Sequence, residues 1–199
     1  MMSALPDPSR RPRARNARPK IERAALKLFV SKSVEGATTR EIAEEAGVSE
    51  GALYRHYPGK DELALSLFME THNRLGRIML EGWQAGDTFE DRVRRVVTAY
   101  CELADEDWLL FSFHLLSLNK FLPHDVRRDD DPVSITEQLI RGLIESGEIP
   151  EGDPAVLAAM SLGVMMQSGQ NKAYNRLPGP MSQHIDAFTR AITAILKQK

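Results

Sequence analysis

Residues 38–60 read TTREIAEEAGVSEGALYRHYPGK, a run whose residue types and spacing point to a definite chemistry. Ile42, Ala43, Ala46, Val48 and Leu53 supply small and medium apolar side chains for an inner face. Thr39, Arg40, Glu50, Gly51, Ala52, Tyr54, Arg55 and His56 are then free to point outward. Two short helices joined by a tight turn make a helix-turn-helix, whose second helix enters the major groove of DNA while the first crosses the backbone. Gly51 and Ala52 have too little side chain to keep that helix away from base edges. Lys60 opens the next helix, where a cation is poorly placed for the helix dipole, and an external phosphate accounts for it.

The elements that must position these groups are marked by their own punctuation. Thr38 is followed three residues later by Glu41, the spacing of a capping box, so a helix runs from there to about Ala46. Gly47 supplies the left-handed residue that ends it, Val48 plugs the corner, and Ser49 caps a second helix to about His56. Pro58 and Gly59 stop that one. Upstream, Ile21, Ala24, Ala25, Leu28 and Phe29 form one apolar stripe on a helix starting near Pro19.

At these residues the sequence resembles the TetR family of transcriptional regulators. The likeness is carried by Thr38, Thr39 and Arg40, then Ile42 and Ala43, then Ala46, Gly47, Val48 and Ser49, then Gly51, Leu53, Tyr54, His56 and Tyr57, and finally Lys60, Glu62 and Leu63. It covers roughly residues 19 to 68, about a quarter of the chain. The resemblance implies that Tyr54, His56 and Lys60 hold backbone phosphates and that Thr39 does so from the first helix of the pair. It places Arg40, Glu50, Gly51, Ala52 and Arg55 near the bases. Glu50 departs from the pattern by being acidic: it either accepts from a cytosine amino group or repels phosphate and lies aside.

The remainder is helical in spacing, and no sustained period-two run bounded by turn residues predicts a strand. A long helix is expected over residues 60 to about 83. Others follow over the stripe Phe89, Val93, Val96, Val97, Tyr100 and Cys101, over the nearly all-apolar residues 108–118, over Ile135, Leu139, Leu143 and Ile144, over residues 154 to about 174, and over the stripe Ile185, Phe188, Ile192, Ile195 and Leu196. The expectation is an all-α chain of about nine helices: a basic arm over residues 1–18, a helix-turn-helix domain over 19–65, and a helical bundle over 66–199. Asp129, Asp130 and Asp131 read as part of a solvated loop.

Residues 66–199 hold no Gly-x-Ser-x-Gly, Gly-rich phosphate loop, His-Glu-x-x-His or Glu-x-x-His pattern, so no catalytic residue, metal site or cofactor is expected. His72, His114, His124 and His184 fall on separate elements without ligand spacing, and each reads as a core or surface histidine. The bundle is rich in large soft residues. Trp83, Tyr100, Trp108, Phe111, His114, Met165, Met166, Gln170 and Tyr174 are the candidates for a pocket with an apolar wall and a few hydrogen-bonding groups, and the resemblance implies a cavity of this kind for a largely apolar small-molecule effector. Residues 155–166 are apolar around most of a helix circumference, with Ala158, Ala159, Gly163 and Gly169 allowing a neighbour close. The family resemblance implies a homodimer through the two C-terminal helices.

Whole-chain charge is misleading. The formal net charge of -2 speaks against a nucleic-acid partner, but residues 1–60 carry 12 Lys plus Arg against 7 Asp plus Glu, a net +5, and the remainder carries -7. Five arginines between Arg10 and Arg18 either form a solvated tail or enter a minor groove. The single Cys101 excludes an internal disulfide, and no stretch reaches the ~18 apolar residues of a membrane span, so a cytoplasmic protein without a membrane partner is expected. The leading expectation is a repressor that leaves double-stranded operator DNA when an effector binds. A helical enzyme or carrier with a non-DNA-binding N-terminal module is the alternative, disfavoured because such a module has no need of a +5 head. A DNA-binding protein whose body is filled and takes no effector is a third reading.

Overall fold

The first helix, α1 (Ala17–Gly36), begins two residues before Pro19, which sits in the first turn where its missing N–H leaves nothing unpaired. A computed structural model describes residues 17–122 and 131–198. The arm expected over residues 1–18 therefore lies outside the described residues as far as position 16, and Ala17 and Arg18 already belong to α1. The chain divides into two compact units, Met1–Ser66 and Leu67–Lys199. Nine α-helices and one short 3-10 helix, with no strand, account for the regular structure among the described residues.

In the first unit α1 packs against α2 (Thr39–Ala46) and α3 (Glu50–Tyr54). Because it faces two helices, α1 buries a wider arc than one stripe: Ile21, Ala24, Ala25 and Phe29 are inside as expected, Leu26 joins them, and Leu28 is only half-buried. No proline or glycine marks the break near the end of α1, where Lys32 leaves helical geometry and Ser33 takes a φ of 66°. A serine in the left-handed half of the map is uncommon, and here it turns the chain so that Lys32 Nζ reaches Glu41 Oε1 at 2.6 Å.

A 25-residue helix, α4 (Lys60–Gln84), starts in the first unit and ends in the second. The second unit continues with α5 (Phe89–Glu106), α6 (Trp108–Phe121), α7 (Pro132–Glu145), α8 (Pro154–Ala173) and α9 (Ile185–Lys197). Acidic or hydroxyl caps start most of them. Thr88, Asp107, Asp131 and Asp153 each accept from backbone N–H groups of the first turn, and Pro132 and Pro154 occupy the first helical positions after their aspartates. Asp131 is thus a helix cap accepting from Val133 and Ser134, a correction to its assignment to a solvated charge run.

Helix α5 is central, packing on α6 and α9, while α8 packs on α6, α7 and α9. Phe89, Val93, Val97, Tyr100 and Cys101 of the expected α5 stripe are buried, and Val96 is half-buried. The Asp105 carboxylate accepts from the backbone N–H groups of Met181 (2.7 Å) and Ser182 (2.9 Å), fastening the 3-10 turn before α9 to the end of α5. Burial pushes that carboxyl upward, yet the bonds from Ser182 and Met181 hold it below its ordinary value. No helix among the described residues is long and apolar enough to cross a membrane.

Candidate nucleic-acid interface and internal cavity

The helix pair in the first unit is built by its caps. Thr38 Oγ1 accepts from the Glu41 N–H at 3.2 Å, and Glu41 Oε2 accepts from the Thr38 N–H at 2.9 Å, so both halves of the capping box are present. Glu41 also takes the Lys32 ammonium, and Lys32 first, then Thr38, lower its carboxyl to about 2. At the other end of α2, Gly47 adopts φ 66°, ψ 38°; its N–H donates to Glu44 O and that of Val48 to Ala43 O, the pair of bonds that defines a Schellman motif. Ser49 Oγ then accepts from the Ala52 N–H at 3.2 Å and starts α3. Both helix ends at the turn therefore have their free backbone groups paired, which fixes the angle between the helices.

On this scaffold the sequence-assigned residues separate. Thr39 Oγ1 and Tyr54 Oη lie 3.2 Å apart, so one hydroxyl from the start of α2 and one from α3 stand side by side, with Tyr54 51% exposed. Arg40 Nε bonds Glu44 Oε1 at 2.9 Å, and Glu44 first, with Glu50 adding to it, raises the guanidinium further above its ordinary value. Both partners are well exposed, and exposed pairs of this sort are worth little and exchange readily. Glu50, Arg55 and His56 are exposed, and a side chain built on Gly51 would meet nothing within 4 Å, so α3 can be approached closely there.

Two of these residues have surroundings that the sequence does not announce. Ala52 is only 7% exposed and lies inside with Leu53, because in a five-residue helix capped at Ser49 the third residue turns back toward the core. Lys60 has internal partners: its Nζ donates to Glu35 O at 3.0 Å and Ala37 O at 2.8 Å, the free carbonyls at the end of α1. Those carbonyls account for a cation at a helix start without an external phosphate. Tyr57 is buried, as its place in the run suggests, and donates to Glu22 Oε1 while accepting from Arg18 Nε at 3.1 Å.

The second unit encloses a cavity of about 510 Å³, within the ~300–1,000 Å³ range of small-molecule sites. Seven of the expected residues line it: Trp83, Tyr100, His114, Met165, Met166, Gln170 and Tyr174. Trp108 and Phe111 do not. Phe111 is spent in the core, edge-on to Tyr100 at 5.1 Å, and Trp108 lies against the same ring with the Lys172 ammonium 4.9 Å from its centroid. The apolar wall is largely made by residues not singled out in the sequence, among them Leu75, Met79, Val93, Leu115, Leu139 and Ile192. Their signal was the helical stripe itself, which marks burial without distinguishing a core from a cavity wall.

The fold also joins two histidines that read as unrelated. His72 Nδ1 and His114 Nε2 lie 3.3 Å apart, both rings are buried, and Phe68 stacks on each. Burial, with His72 adding to it, pushes the His114 imidazole down to about 3. Cys101 on α5 is fully buried, and burial pushes its thiol up to about 12, leaving it unreactive. Among the described residues no group of three or more His, Cys, Asp or Glu is placed to hold a metal ion.

A family model described as bacterial regulatory proteins, tetR family, matches residues 21–67, the stretch that holds α1, α2, α3 and the start of α4. The transcriptional repressor AcnR of Corynebacterium glutamicum is 35% identical over 66 residues, which are 33% of this chain and 35% of AcnR. The chain thus spans about a third of the length of that relative. The nucleoid occlusion factor SlmA of Vibrio atlanticus is 28% identical over 93% of this chain and 98% of its own. Among solved structures, the transcriptional regulator FadR of Bacillus subtilis in complex with stearoyl-CoA superposes with a TM-score of 0.68, covering 90% of this chain and 97% of that one at 19% identity, a likeness of fold. Residues 21–67, with their capped helix pair, are thus similar to the tetR family of bacterial regulatory proteins, and the helix order among the described residues is similar in fold to FadR.

Proposed function

We propose that the protein is a homodimeric transcriptional regulator that binds double-stranded operator DNA through the first unit and releases it when a small molecule enters the cavity of the second. The observation that carries this reading is the doubly capped helix pair, whose exposed side presents Thr39, Arg40, Glu50, Gly51, Tyr54, Arg55 and His56. Arg40 exchanges the Glu44 carboxylate for a base edge or phosphate at little cost, because both partners of that pair are solvated. Tyr54 and Thr39 present paired hydroxyls of the kind that fix a protein's register on phosphates. Lys60 adds its charge from beside the carbonyls of Glu35 and Ala37, using the one donor left over from its two bonds to them.

Exposed apolar residues on α8 support the dimer. Val156, Ala159, Met160 and Gly163 form one uncovered stripe on a helix whose opposite face is core. A two-fold pairing there sets two recognition helices about 34–36 Å apart, one turn of DNA, or a multiple of it. The cavity favours an effector over a filled body, and the stearoyl chain of the stearoyl-CoA held by FadR supports a ligand with a large apolar part. Release follows from population shift: a ligand that binds the state with mis-spaced reading helices tenfold more tightly lowers operator affinity by up to the same factor, about 1.4 kcal/mol. Fluorescence-anisotropy titration on the DNA flanking the protein's own gene tests the reading. Salt-sensitive, sequence-dependent binding is expected, and its absence refutes the proposal.

A further inference from the structure

Three residues that line the cavity each carry a buried polar side-chain atom with no hydrogen-bond partner among the described residues: Tyr100 Oη, His114 Nδ1 and Ser161 Oγ. They come from α5, α6 and α8, and their residues are 8%, 3% and 6% exposed. Buried polar groups are normally paired, and leaving one unmade forfeits its hydration with nothing in return. Three such groups on residues lining one apolar cavity are the partners that a bound molecule could complete.

The described part of the same wall carries no counter-charge. Among the described residues that line the cavity there is no Lys, Arg, Asp or Glu. His114 does not supply one, because burial and the neighbouring His72 push it down to about 3 and the ring is neutral at pH 7. A carboxylate or phosphate entering this space loses its hydration without an ion to replace it. All three orphans, however, serve an uncharged group in either sense. The hydroxyls of Tyr100 and Ser161 donate or accept. His114 does likewise by its choice of tautomer: a ligand acceptor takes a proton on Nδ1 and leaves Nε2 to accept from His72 Nδ1, and a ligand donor reverses both bonds.

We propose that the cavity takes an uncharged molecule, apolar over most of its surface, carrying a hydroxyl or carbonyl oxygen that bonds one or more of Tyr100, His114 and Ser161. This rests on reading the cavity as the effector site and names the chemical class of the effector.

Isothermal titration calorimetry on the full chain at pH 8, with no DNA present, tests it with 1-decanol and decanoate, which share one alkyl length and differ in charge. Decanol is expected to bind at least about tenfold more tightly than decanoate, given the uncompensated cost of burying the carboxylate. Tyr100→Phe or Ser161→Ala is expected to weaken decanol about two- to tenfold, the worth of one net hydrogen bond. Neither substitution lowers the ligand-free Tm, since each removes an orphaned group and breaks no bond, a result that separates a ligand contact from a structural one. Decanoate binding as tightly as decanol, no detectable decanol binding, decanol affinity unchanged in both variants, or a lower Tm in both overturns the proposal. Because DNA is absent, failure here leaves the operator titration untouched, and a failed operator titration leaves the chemistry of the cavity standing.

Discussion

Stability should fall steeply as pH drops from neutral to 5, and His114 should be a main cause. Its imidazole is buried against Phe68, Phe111 and His72 and is pushed from an ordinary value of 6.5 down to about 3. The unfolded chain therefore takes up a proton near pH 6.5 that the folded chain refuses until about pH 3. The folded pKa is depressed, so the stability linked to this group is complete above 6.5 and is lost progressively as pH falls through that window toward 3. At about 1.36 kcal/mol per pH unit, the loss by pH 5 is about 2 kcal/mol. For a chain of this size each kcal/mol moves Tm by roughly 2–4 °C, so the His114 share of the drop between pH 7.5 and 5 is about 4–8 °C. Thermal unfolding followed by far-UV circular dichroism at both pH values, for the parent and for His114→Gln, isolates it. Glutamine keeps a polar group near the position of Nε2 facing His72 and has no proton to gain. The variant should start from a lower Tm at pH 7.5 but lose about 4–8 °C less on acidification. An equal drop in both proteins refutes the assignment of a neutral, proton-refusing His114.

Gly47→Ala should cost about 1 kcal/mol in urea denaturation of the first unit, since alanine resists the left-handed φ of 66°, while nothing within 4 Å obstructs its methyl group. Gly169→Ala should cost about 1–3 kcal/mol by overpacking, because the new carbon falls 2.6 Å from Leu115 Cδ1, a residue of the cavity wall. Arg40→Ala should weaken specific DNA binding more than non-specific binding, whereas Lys60→Ala should weaken both alike and also lower stability by about 1 kcal/mol through loss of its bonds to Glu35 O and Ala37 O. Parallel anisotropy titrations and urea melts of the two variants check both parts.

The features legible in the sequence were those that a backbone conformation restricts to few residue types. Thr38 with Glu41, Gly47 and Ser49 could be placed because a capping box, a left-handed C′ position and an N-cap each tolerate a short list, and all three stand where they were read. Helix order was legible because apolar spacing repeats over many turns. What escaped was set by long-range approach. His72 and His114 are 42 positions apart on α4 and α6, and no local pattern announces that their rings meet. The internal partners of Lys60 were not legible because the carbonyls of Glu35 and Ala37 that it bonds lie beyond the break at Lys32 and Ser33, which no proline or glycine marks. Ala52 reads as outward once Ile42, Ala43, Ala46, Val48 and Leu53 are given the inner face, but α3 is only five residues long and turns it inward beside Leu53. Trp108 and Phe111 were set in the cavity because aromatic type marks burial, and burial in a core looks the same from the sequence.

The central claim, that the exposed side of α2 and α3 reads a DNA sequence, is tested most directly by anisotropy titration of a duplex that the protein itself selects from a random library, against a shuffled duplex of equal composition. At least about 10³-fold tighter binding to the selected duplex is expected at physiological salt, with affinity for both falling as salt rises and the preference reduced by Arg40→Ala. Equal affinity for the two duplexes, or a preference that Arg40→Ala leaves intact, contradicts it.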